Sequence, residues 1–198
     1  MSDRGITGAI YVLNNKEDWA DMVKDFLTSE GVKRDGKFYL EQRGIIVDAI
    51  CLSSEEIEEL LGKALYLTTA RYDYLISRME QDILDAAREL ERDPSSRRAI
   101  MYKPDWYWGG AKQHVNCILT YQFMATGHSV DLFVGMRSSD AFNAFPVDWS
   151  TSCMILKKVV AEMNGRAGQL EPGRVVFMMA NMHIKVDDEE TILSDMCE

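Results

Sequence analysis

Apolar positions recur with two different periods along this chain, and the switches between them divide it into strands and helices. Ile6 to Leu13 is a short apolar run that reads as a strand. Trp19, Met22, Val23, Phe26 and Leu27 then follow at helical spacing; Asn15 can cap that helix, Glu17 and Asp18 fall in its first turn, and Gly31 can end it. Gly36 opens an extended segment, and the β-branched Ile45, Ile46, Val47 and Ile50 predict a central strand. Ser53 and Glu56 have capping-box spacing before a helix to about Leu65. Leu75, Met79, Ile83, Ala87 and Leu90 mark an amphipathic helix from Tyr72 to Glu91, stopped at Asp93-Pro94. Ile118 to Ala125 and Val130 to Met136, broken by Gly127, predict an antiparallel hairpin. Asp148 to Asn164 carries Met154, Ile155, Val159, Val160 and Met163 on one helical face and ends at Gly165. Pro172-Gly173 predicts a turn and Val175 to Met182 a buried strand; Asp187 to Glu198 reads as a short exposed helix or a frayed tail. This order predicts an α/β fold of the α+β kind, one mixed, predominantly β layer with helices packed on it, in a single domain over residues 1–198.

Composition narrows the function classes. A chain of 198 residues buries a sizeable core. A net charge of −10 argues against a basic face for nucleic acid, but leaves room for a local anion pocket. No apolar run approaches membrane-spanning length, and the N-terminus lacks a basic-then-apolar signal pattern, so neither a membrane nor a secretory route is expected. Cys51, Cys117, Cys153 and Cys197 form no CxxC pair, and His114, His128 and His183 are scattered, so no metal site is expected. Free thiols fit a cytoplasmic protein.

Candidate chemistry concentrates between Cys117 and Asp148. The stretch holds Cys117, Gln122-Phe123, Arg137-Ser138-Ser139-Asp140 and Phe145-Pro146-Val147-Asp148. A thiol, a guanidinium, hydroxyls and carboxylates around short apolar strands suit a nucleophile, an anion clamp and a base-reading group in one cleft. Taken alone, a cysteine in an apolar strand is usually a packing residue, and Asp148 equally suits a helix cap.

The stretch resembles the thymidylate synthase superfamily. A Gln-Phe pair follows the cysteine; Arg137, opening an Arg-Ser-x-Asp motif, lies twenty residues after Cys117; and residue 148 lies eleven after Arg137, where the family has Asn and this chain has Asp. Upstream, Asp93-Pro94-Ser95-Ser96-Arg97-Arg98 matches a family segment whose two arginines reach across a homodimer to the partner's nucleotide phosphate, a role that suits the guanidinium fork. Gln42-Arg43-Gly44 resembles the family's N-terminal phosphate arginine, against the alternative of a solvated turn. Glu59 resembles a helix glutamate that organises water near the base, against the alternative of a solvated acidic face. His183 stands in a His-x-Tyr motif for the ribose, with Lys185 in place of the Tyr. Tyr102, Trp106, Tyr107 and Trp108 are either packing residues or a wall for a flat ring.

The resemblance implies a pyrimidine nucleoside monophosphate substrate and 5,10-methylenetetrahydrofolate as one-carbon source. Cys117 would add to C6 of the base, making C5 a carbon nucleophile. Gln122 would orient the nucleotide, Ser138, with Ser139 beside it, would meet phosphate, and Asp140 would fix the base or the cofactor edge. A carboxylate at 148 accepts hydrogen bonds and donates none, so it matches the amino group of cytosine and mismatches O4 of uracil. That points to the branch of cytidylate and deoxycytidylate 5-hydroxymethylases, in which water ends the reaction. A C5-methylating synthase acting on dUMP or dCMP, and a non-catalytic nucleotide-binding homologue, are the alternatives. The sequence departs from the family at Asn116-Cys117-Ile118, at Asn143-Ala144, at Lys185 and in a short stretch after that residue, where the family closes over folate.

Overall fold

Stretches with a period of two become one sheet, and those with helical periodicity lie across it. The structure, a computed structural model, describes residues 8–27, 31–34, 37–63, 76–102, 117–167 and 170–185. Among the described residues the strands are β1 (Ile10–Leu13), β2 (Gly31–Arg34), β3 (Lys37–Ile50), β4 (Ile100–Tyr102), β5 (Ile118–Thr126), β6 (Ser129–Asp140) and β7 (Glu171–Lys185). The helices are α1 (Glu17–Leu27), α2 (Ser54–Lys63), α3 (Glu80–Arg92) and α4 (Phe145–Ala167). The sheet runs β1-β3-β7-β6-β5-β4, with β2 paired to the start of β3. It is mixed: β1 with β3 and β6 with β7 are parallel, and the other pairs are antiparallel.

Alternation along the strands decides which face is covered. Val47, Phe177, Val134 and Tyr121 lie side by side across four strands and are fully buried. On α4, Phe145, Trp149, Leu156 and Val159 are fully buried as well. Phe145 meets Phe177 edge to face at 5.1 Å, and the Trp149 indole donates to the Ile50 carbonyl at 2.9 Å. The opposite face carries a second apolar row: Ile10 beside Ile46 beside Met178, all exposed. Among the described residues no helix is long and apolar enough to cross a membrane.

Local signals come out where they were expected. The Ser53 amide donates to Glu56 Oε2 at 2.7 Å and the Glu56 amide to Ser53 Oγ at 3.1 Å, a complete capping box. Asn15 Oδ1 accepts from the Asp18 amide at 2.9 Å. Gly127 turns the β5–β6 hairpin at φ 64°, where a side chain is disfavoured.

Three expectations are corrected. Helix α4 begins at Phe145 rather than Asp148, because Pro146 in a first turn lacks only an N–H that needs no partner there. Pro172-Gly173 is not a turn but the start of β7, beside an irregularity between Val130 and Leu132. A Cβ at Gly173 would lie 2.0 Å from Asp131 Oδ1, so close approach, not turning, explains that glycine. Gly31 opens β2, and α1 is described only to Leu27. The first strand is described from Ile10, with Ile6 outside the described residues; so too are Leu65, the start of the Tyr72 helix, Trp106 to Trp108 and the acidic end from Asp187.

Candidate active site

The β5–β6 hairpin sets the thiol against the guanidinium. Cys117 immediately precedes β5, and Ile118 pairs with Met136, so Arg137 comes level with Cys117. The Arg137 amide donates to the Cys117 carbonyl at 2.7 Å, and Arg137 Nη2 lies 3.8 Å from Cys117 Sγ. Cys117 is half-buried and Arg137 exposed. A guanidinium thus faces a half-buried sulfur. The other two described cysteines are different. Cys51, at the end of β3, donates to the Cys153 carbonyl at 3.8 Å, and Cys153 is buried on α4. Burial pushes the Cys153 thiol well up, and its hydrogen bond to Cys51 pulls the Cys51 thiol below the usual range.

Parallel pairing of β6 with β7 lines up the next residues. Ser138 sits beside Asn181, and Asn181 beside Arg43 on β3. Asp140 sits beside His183, and His183 beside Glu41. Arg43 is 66% exposed, with its Nη2 3.9 Å from the Glu41 carboxylate. His183 Nδ1 is 3.3 Å from Asn181 Oδ1, and its ring meets Tyr39 edge-on at 5.5 Å. Lys185 pairs with Tyr39. Arg43, Ser138, His183 and Lys185 therefore gather at one end of three adjacent strands. Asn181, between Arg43 and Ser138, escaped the sequence reading; only strand register reveals it.

Asp140 is occupied by its own turn. Its Oδ1 accepts from the amides of Phe142 (3.0 Å) and Asn143 (2.8 Å), and its carbonyl accepts from the Ala144 amide at 3.1 Å. That turn delivers the chain from β6 into α4. Trp19 reaches it from α1, donating to the Ala141 carbonyl at 2.8 Å and stacking on Phe142 at 6.0 Å and 14°.

Asp148 lies in the first turn of α4, and its side chain is not the helix cap. Ser139 Oγ donates to Asp148 Oδ2 at 2.9 Å, and Ser152 Oγ donates to the Asp148 carbonyl at 2.6 Å. Beneath them is Tyr121, fully buried, whose hydroxyl nears Ser152 but completes no hydrogen bond. Burial, and then the charge of Asp148, push its phenol far above the usual range. Arg137 and Ser139 are two apart on β6. One strand thus links the thiol, through Arg137, to the carboxylate, through Ser139. Tyr121 also escaped notice, although an inward tyrosine between Cys117 and Gln122 was the available signal.

Other candidates stand apart from this cluster. Gln122 Nε2 donates to the Arg97 carbonyl at 3.2 Å. Arg97 and Arg98 are exposed near β4 at the sheet edge, and Arg98 Nε lies 3.3 Å from Glu89 Oε1. Glu59 is exposed on α2 and pairs with Lys16. Among the described residues no three His, Cys, Asp or Glu side chains form a metal-binding group.

A family model for thymidylate synthase matches residues 24–196. The chain belongs to the thymidylate synthase family. The match takes in every strand from β2 to β7 and both halves of the Cys117–Asp148 site. Membership makes the chain a one-carbon transferase of nucleotide metabolism, in a family that acts at C5 of a pyrimidine nucleoside monophosphate, takes its one-carbon unit from methylenetetrahydrofolate and is typically dimeric. A search of curated proteins finds no match to the chain.

Proposed function

We propose that this thymidylate synthase family member is a cytidylate or deoxycytidylate 5-hydroxymethylase. One observation carries the reading. Where the family has an amide, this chain has the Asp148 carboxylate, and Ser139 holds it as an acceptor 2.9 Å from its own hydroxyl. A carboxylate in that place accepts from the cytosine amino group and, when N3 is protonated, from N3–H as well. Toward uracil O4 it offers no donor, and an unmatched buried polar edge is strongly disfavoured.

Cys117 is the nucleophile of this reading. Its sulfur adds to C6, and C5 gains the electron pair needed to form a carbon–carbon bond. Arg137, 3.8 Å from the sulfur, supplies the cationic surroundings in which thiolates persist. Arg137, Arg43 and Ser138 clamp the phosphate, and His183 with Lys185 meets the sugar. Gln122 holds the Arg97 segment in place, and Glu59 orders water at the rim. Arg97 and Arg98 reach the nucleotide of a second subunit, which docks on the apolar row of Ile10, Ile46 and Met178. Bound methylenetetrahydrofolate would supply the carbon at the formaldehyde level. The stacked Trp19–Phe142 pair, with Asp140 and Asn143 beside it, fits the flat edge of a pterin. The protein acts in the cytoplasm, where its thiols stay reduced.

The test is incubation of the protein with CMP, dCMP or dUMP and methylenetetrahydrofolate, read by mass spectrometry. A cytidylate product heavier by one CH2O unit is expected. A product from dUMP heavier by CH2 would replace this reading with a methylating synthase, and no product from any of the three would leave a nucleotide-binding homologue.

A further inference from the structure

Asp148 reads a base only if its protonation is controlled. An ionised carboxylate is purely an acceptor, whereas a protonated one offers an acceptor and a donor and so imitates asparagine. The family's uracil-reading arrangement could therefore return in this site without any substitution at residue 148, simply by uptake of a proton.

The surroundings of Asp148 bear on that choice. Ser139 is 1% exposed, so its hydroxyl has no solvent to fall back on, and it donates to Asp148 Oδ2 at 2.9 Å. A hydroxyl donor favours the charged carboxylate over the neutral acid. Tyr121, wholly buried with no completed hydrogen bond, adds a phenol that keeps its proton beside the same group. Among the described residues, the titratable and charged side chains on the elements around Asp148 include Tyr121 and Cys117 on the β5 side, Arg137 and Asp140 at the same end of β6, His183 and Lys185 at the same end of β7, and the Glu55, Glu56, Glu58 and Glu59 carboxylates of α2. Asp140 is tied to its own turn. Ser139 is in direct contact with the Asp148 carboxylate.

We propose that Ser139 is the positioning residue that sets base specificity, by holding Asp148 in its acceptor-only form and thereby excluding uracil. It touches neither the thiol nor the reacting carbon; it acts through Asp148. The inference rests on the reading in which Asp148 meets the base edge.

Calorimetric binding of CMP and UMP to the full chain, without folate, separates the two ideas. Wild type is expected to prefer CMP at every pH between about 5 and 8. Ser139→Ala is expected to lose that preference by roughly tenfold or more, the size of one hydrogen bond to a charged group. The loss should come as a gain in UMP binding that grows toward acid pH, a signature that loosened packing does not produce. Ser139→Thr, which keeps the hydroxyl, should restore the preference. Ser139→Cys, nearly isosteric with a weak donor, should fall between and serves if the alanine variant does not fold. Asp148→Asn should invert the preference toward UMP. If Asp148→Asn inverts it while the Ser139→Ala and Ser139→Cys ratios stay at the wild-type value across pH, the role of Ser139 is overturned and base reading stands. If Asp148→Asn leaves the preference unchanged, base reading itself is wrong.

Discussion

On the face beneath α4, Tyr121, Phe145, Trp149 and Phe177 are wholly buried, whereas on the opposite face Ile10 is 69% exposed, Met178 46% and, nearer the edge, Tyr102 70%. Both faces carry apolar rows, the second interrupted by polar residues such as Asp48 and Arg174. The difference is that one row has a helix of the same chain laid over it and the other, among the described residues, has none. Side chains on the covered face are fixed by intramolecular packing and hydrogen bonds, such as Trp149 to Ile50. Those on the bare face are left exposed by the described residues, and the contiguous row of Ile10, Ile46 and Met178 is suited to a second copy. The proposed site lies at the strand ends, and in that proposal both faces serve it: α4 brings Asp148, and the bare face receives the second subunit whose arginines complete it.

Four substitutions break or sharpen that contrast. Cys117→Ala should abolish turnover by about 10⁴-fold or more, the scale of losing an attacking group, while thermal melting and self-association stay as in wild type. Loss of either face along with activity would mean that Cys117 is a packing residue. Trp149→Ala should unfold the covered face first, costing about 3–5 kcal/mol, seen as a fall of roughly 10 °C in melting temperature; an unchanged melting temperature would contradict the burial assigned to it. Met178→Asp should leave the far-ultraviolet circular dichroism intact but convert dimer to monomer in sedimentation, with turnover lost alongside. Retained dimers would place the interface elsewhere. The smallest effect is Tyr121→Phe, which removes a buried hydroxyl with no completed hydrogen bond among the described residues and should stabilise by about 1 kcal/mol; destabilisation would show that the hydroxyl is bonded, with Ser152 the nearest group.

Sequence disclosed what is local. The Ser53–Glu56 box, the Asn15 cap and the Gly127 turn each need residues within four positions, and each formed as expected. Motif spacing likewise brought Cys117 opposite Arg137, because a tight hairpin makes sequence separation and distance nearly equivalent. Boundaries failed where one residue type serves two purposes. Pro146 is a helix breaker inside a helix and harmless in its first turn, so α4 began three residues before the expected start. Pro172-Gly173 has the composition of a turn, yet the glycine is there for its lack of a side chain beside Asp131. What could not be read was register between distant strands. Asn181 stands between Arg43 and Ser138 because β3, β7 and β6 align at that row, and nothing in the three segments announces the alignment. The bond from Ser139 to Asp148 needs the Asp140 turn to reverse the chain, which only the folded molecule displays.

The link between Arg137 and Cys117 runs through the main chain as well as the side chains, since the Arg137 amide holds the Cys117 carbonyl at 2.7 Å. The main-chain position of Cys117 is therefore held by peptide groups, whichever residue other than proline occupies 137. Neutralising that residue would remove the charge beside the sulfur while leaving this backbone bond in place, so in the proposed reaction the strength of the nucleophile can be dialled by chemistry alone.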